Sequence, residues 1–154
     1  MKAQHLLEPP WNGLSALPPL HAACFRNASG EKNSLDEARD LLKQGVDKDA
    51  TVSWTTDASY GSRYAGVTAL HVAADAGCFD MASMLIKAGA DTKINMSQME
   101  MGYHMGEGSY FDVWALLRRR GGQAHVERLK TLVEKHADQE SCCLLAFRGC
   151  CARL

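Results

Sequence analysis

Two histidines, His21 and His71, and six cysteines are the side chains through which this 154-residue chain could do chemistry. A histidine base needs a nucleophile to activate and a group to stabilise the charge that develops. Neither partner stands out near Leu20-His21-Ala22-Ala23-Cys24 or Leu70-His71-Val72-Ala73-Ala74, where the neighbours are apolar. Cys24 and Cys78 fall within apolar helical stretches, the ordinary setting of a small buried thiol. The other four, Cys142, Cys143, Cys150 and Cys151, form two adjacent pairs separated by six residues. Adjacent cysteines match poorly the C-x2-C spacing of structural zinc sites, and reversible palmitoylation is the other chemistry open to them. Gly102, Gly106 and Gly108 have neither the strand-to-helix setting nor the Gly-Lys-Ser/Thr of a phosphate loop. Arg118, Arg119 and Arg120 are the only basic cluster and suit the C-terminal end of a helix, where cations complement the dipole. These residues predict no enzyme, no metal and no cofactor.

The elements that hold the histidines are clearest from Gly66 to Asn95. Thr68 can accept the first free N–H groups of a helix over 69–76, and Gly77 supplies a left-handed stop. Asp80 falls in the first turn of a second helix, where Met81, Ala82, Leu85 and Ile86 make one apolar stripe and Gly89 ends it. The string Thr68, Leu70, His71, Ala73, Ala74, then Leu85, Gly89, Ala90 and Asp91 resembles an ankyrin repeat, with Ala69 where that family usually has proline. The resemblance implies that a histidine at this position ties the backbone turns of neighbouring repeats together. It therefore assigns His21 and His71 to structure.

Leu17-Pro18-Pro19-Leu20-His21 resembles the opening of an earlier repeat. Pro19 suits the first helical position, but Pro18 lacks the hydroxyl that Thr68 offers. Its second helix opens on Ser34 with Glu37 three residues on, a capping-box pattern, and runs to Gly45-Val46-Asp47. His21 and His71 are 50 positions apart, against about 33 for the family period. Six of the surplus residues belong around 26–33 and the other 11 or so between Gly45 and Thr68, because Cys24 to Leu41 spans 17 positions where Ala74 to Leu85 spans 11. Two long fingers follow. The first, 46–65, carries Trp54, Tyr60 and Tyr64; the second, 92–108, carries Met99, Met101 and Tyr103. Ser109-Tyr110-Phe111-Asp112 reads as a degenerate third opening, with Ser109 at the cap and Asp112 in the histidine's place, before a second helix faced by Val126, Leu129, Leu132 and Val133.

The predicted architecture is all-α: an ankyrin-repeat solenoid of about three helix-turn-helix repeats, at 17–49, 66–95 and 108–138, with extended β-hairpin-like loops. Residues 1–16 would be an extended N-terminal cap and 139–154 a Cys-rich C-terminal cap or tail. A formal charge of −1 gives no general pull toward nucleic acid or acidic lipid. No apolar run approaches a membrane span and no secretory signal is visible, so the expectation is a soluble intracellular protein, cytoplasmic by default with an organelle left open. The resemblance implies a non-enzymatic binding module or scaffold that holds a protein partner through its fingers and concave face; Trp54, Tyr60, Tyr64, Met99, Met101 and Tyr103 are the expected contact residues, with packing against the repeat's own edge and gaps as the alternative. Two alternatives stand beside it: a permanent subunit of a multiprotein assembly, and a thiol- or metal-dependent regulator acting through the four terminal cysteines, whose lipidation could also tether the chain to a membrane.

Overall fold

A computed structural model describes residues 7, 9–10, 12–56, 61–101, 109–119, 123–124 and 126–135. The proposed tail at 139–154, with Cys142, Cys143, Cys150 and Cys151, lies outside the described residues, as do Trp11, Tyr60, Tyr103, Gly102, Gly106, Gly108 and Arg120.

The central helix pair forms for the reasons its residues suggest. Thr68 stands in extended conformation ahead of α3 (Ala69–Ala76), and its hydroxyl accepts the His71 N–H at 3.3 Å. Gly77 follows at φ 71°, a backbone angle that a side chain resists. Helix α4 (Phe79–Lys87) then buries the expected stripe of Met81, Ala82, Leu85 and Ile86. The earlier pair is α1 (Pro19–Ala28) and α2 (Ser34–Lys43), and a third opens with α5 (Val113–Arg119) before a last helical stretch over 126–135. A single 3-10 turn, Leu14–Ala16, precedes α1. Helix α3 packs on both α1 and α5, so the first helices form one row, and the second helices α2 and α4 pack beside α1 and α3.

Two local expectations give way to better competitors. Asn33, not Ser34, is the cap of α2; the Ser34 hydroxyl donates to the Glu31 carbonyl at 2.6 Å, and Glu37 pairs with Arg26 of α1 instead of closing a capping box. In the third opening Asp112 is the cap, its carboxylate accepting the Ala115 N–H at 2.7 Å, while Ser109 lies in a strand. Ala115 therefore occupies the histidine's place, three residues past the cap. The longer first helix pair also acquires a shape: α1 has ten residues where α3 has eight, and a turn over 29–33 takes up the remainder.

The all-α expectation is corrected by the fingers. They supply β1 (Val52–Thr55), β2 (Gly61–Val67), β3 (Met96–Met101) and β4 (Ser109–Phe111), which form one antiparallel sheet in the order β1-β2-β3-β4. The central ladder joins the two fingers, from Gly61 opposite Met101 to Ala65 opposite Ser97. Fingers this long carry many backbone N–H and C=O groups, and pairing with the neighbouring finger satisfies those of the described ladder. Gly66 permits the close approach: its φ is 70°, and a Cβ there would stand 3.0 Å from the Asn95 carbonyl oxygen. The sheet is rooted in the helices through Val67 and Met96, both fully buried with Leu70, Leu85 and Leu116.

Candidate interaction surface

The two histidines are spent on the frame. His71 Nε2–H donates to the Ile94 carbonyl at 2.8 Å, just ahead of β3. That leaves Nδ1 as an acceptor, and it receives the Thr68 N–H at 3.0 Å and the Thr68 hydroxyl at 2.7 Å. His21 makes the same outward bond, Nε2–H to the Val67 carbonyl at 2.9 Å at the end of β2. Its Nδ1 is buried without a hydrogen-bond partner, because Pro18, three residues before it, has neither a hydroxyl nor an N–H. Burial lowers the pKa of both rings: that of His71 falls from 6.5 to about 4 against the raising effect of the Ile94 carbonyl and Asp112, with His21 adding a small further decrease. Both rings are thus neutral structural ties at neutral pH, each joining a first helix to the finger that follows it. Burial also pushes the Cys24 thiol well up, with a contribution from Cys78, so it offers no thiolate.

The sheet has two unlike faces. On the face toward the helices, Trp54 and Tyr64 sit opposite each other across β1 and β2 and are only 8% and 1% exposed. Their rings lie 5.4 Å apart, and Trp54 meets the Phe25 ring of α1 edge-on at 5.9 Å. Such edge-to-face contacts add to the area that the rings bury. Trp54 and Tyr64 therefore join the core, on the inner face of the finger sheet. On the opposite face stand Met99, 42% exposed, and Tyr110, 75% exposed, the only exposed large apolar side chains among the described residues. Arg63, also exposed, is directly opposite Met99.

Of the six residues expected to bind, then, the structure leaves Met99 free and turns Trp54 and Tyr64 inward. Met101 has its backbone in β3 opposite Gly61, while Tyr60 and Tyr103 lie outside the described residues. Two surface residues escaped the sequence reading. Arg63 is the outward neighbour of Tyr64 by strand alternation, and Tyr110 was assigned to a helix opening; placing a strand at 61–67 and 109–111 would have exposed both.

Stacked helix pairs, each burying its apolar side against its neighbours, are the architecture of repeat proteins. Residues 65–97 match the ankyrin repeat family model, so the unit from β2 to β3 is an ankyrin repeat, of a family whose members generally act as protein–protein interaction modules. No curated protein and no solved structure matches the chain. Among the described residues no helix is long and apolar enough to cross a membrane, and no group of three His, Cys, Asp or Glu side chains could hold a metal ion.

Proposed function

We propose that the protein is a non-enzymatic interaction module that holds a protein partner on its finger sheet, as a subunit or scaffold of a larger assembly. The observation that supports this most is that both exposed large apolar side chains of the described residues, Met99 and Tyr110, lie on the sheet and on the same face of it. Apolar and aromatic groups left in water at such a position are the usual anchors of an interface. Both histidines are buried and each donates its Nε2–H to a backbone carbonyl at the root of a finger, which suits a structural role.

The test is gentle purification of the full-length protein from its source, alongside a variant with Met99→Ser and Tyr110→Ser, with mass spectrometric identification of what accompanies each. A stoichiometric protein partner with the wild type and its loss from the variant is the expected result. A chain that emerges alone and monomeric in both forms contradicts the proposal. Exchange of the bound partner on adding excess labelled chain separates a reversible module from a permanent subunit.

A further inference from the structure

The first helices of a helix-pair stack normally offer their finger-side face, with the fingers, as a groove for a ligand. Here that groove is occupied by the protein's own residues. Phe25 and Asp75 hold the same place in α1 and α3, four residues after His21 and His71. Phe25 is covered by the Trp54 ring, and Trp54 in turn by Tyr64. The Asp75 carboxylate, itself buried, accepts the N–H of Leu7 at 2.8 Å, and Leu7 is 4% exposed within the core. Leu7 thus reaches α3, and the inner face of the sheet covers α1 at Phe25.

What remains free is the outer face, whose composition is specific. Strand register places Ala65, Ser97 and Tyr110 in one row across β2, β3 and β4, and Arg63 and Met99 in the next, with Thr55 of β1 opposite Arg63. Ala65 and Ser97 form a low floor. Tyr110 stands as a wall at one side, and Met99, two residues along β3 from Ser97, stands at another. The only charge among the described side chains of these rows is Arg63, which has no ion pair or hydrogen bond with a described residue. Guanidinium groups take carboxylates through two parallel N–H bonds, and Arg, Tyr and Met are enriched at the centres of interfaces. Two strand spacings and a two-residue offset separate Arg63 from Tyr110 by about 12 Å, the reach of three or four extended residues.

Resting on the interaction-module reading, we infer that the outer face of the finger sheet, centred on Arg63, Met99 and Tyr110, docks a linear protein segment that sets an aromatic or aliphatic side chain over Ala65 and Ser97 and a carboxylate, about two to four residues away, on Arg63. The partner is an acidic, apolar-anchored segment. It does not enter the helix-lined groove.

The experiment pans a random peptide display library against the full-length protein. One enriched peptide, labelled with fluorescein, is then titrated by anisotropy against the wild type, Arg63→Glu, Tyr110→Ser and a control, Lys43→Ser, on the exposed side of α2. Expected are peptides that pair Asp or Glu with an aromatic or aliphatic residue, an affinity reduced at least about tenfold by each of Arg63→Glu and Tyr110→Ser and unchanged by Lys43→Ser, and recovery of Arg63→Glu binding when the peptide's acid is replaced by lysine. Melting curves confirm that these surface variants are folded. Enriched peptides that bind all four proteins alike overturn the assignment of this face while leaving the module reading intact. So do peptides without a carboxylate. If no peptide is enriched, the linear-segment inference fails; if in addition no partner accompanies the purified protein, the module reading fails with it.

Discussion

Tyr64 and Arg63 are neighbours in β2, yet one is at the centre of the molecule and the other in water. The same division holds for the described side chains in the middle rows of the sheet. Its inner face, Trp54 and Tyr64 over Phe25, is built as a core; its outer face, Arg63, Met99 and Tyr110 around Ala65 and Ser97, is built as a surface that something else can cover. Both faces are rich in residues that favour interfaces, so composition alone cannot tell them apart. The two-residue period of a strand does, because it commits every second side chain to one side.

If the inner face is core, damage there must cost stability. Trp54→Ala removes the ring joining Phe25 to Tyr64 and is expected to destabilise the protein by about 4 kcal/mol in urea denaturation, with a change below 1 kcal/mol excluding a core role. Acid attacks the roots of the same face. The unfolded histidines bind protons near 6.5 and folded His71 only near 4, so the unfolded state holds more protons between these values. Stability conferred by neutral His71 is then complete above about 6.5, lost as pH falls toward 4, and constant below, a loss on the order of 3 kcal/mol to which His21 adds in the same direction. Denaturation midpoints at several pH values from 7 to 4 should fall steadily, and His71→Gln should flatten the slope. Gly66→Ala places a Cβ at φ 70° and 3.0 Å from the Asn95 oxygen, loosening β2 against β3, for an expected loss of about 2 kcal/mol by thermal denaturation.

The smaller effects sharpen the comparison. Pro18→Thr gives α1 a hydroxyl cap and gives His21 Nδ1 the donor that Thr68 gives His71, so a gain of about 1 kcal/mol is expected. A loss of stability there would mean that the first helix pair does not need the tie. On the outer face, Met99→Ser and Tyr110→Ser should each change stability by less than about 0.5 kcal/mol while abolishing partner binding. Large destabilisation by either would make the two faces equivalent.

The helix pair was legible because its determinants are local. Thr68 caps, His71 reaches back three residues to it, and Gly77 stops the helix, all within ten residues of chain. The pairing of α1 with α3 followed from the repeated Leu-His-x-Ala pattern. The sheet was not legible as a sheet, because β2 and β3 belong to different fingers with a helix pair between them, and their register depends on Val67 and Met96 being buried by that pair. Each finger alone suggests only a hairpin. The third opening was misplaced by three residues because Ser109 and Asp112 are both good caps, and only the pairing of Ser109 opposite Gln98 commits it to β4. For the surface, Met99 stood out by its type and is exposed, whereas the exposure of Arg63 and Tyr110 required knowing which side of a strand faces water.

The division between faces can be tested by photo-cross-linking. Benzoylphenylalanine is placed at Tyr110 in one protein and at Lys43, on exposed α2, in another, and each is irradiated with the stoichiometric partner bound. A cross-link to the partner from position 110 and none from position 43 is the expected result. A partner that cross-links from 43 and not from 110 contradicts the account, and places recognition on the helices instead of the sheet.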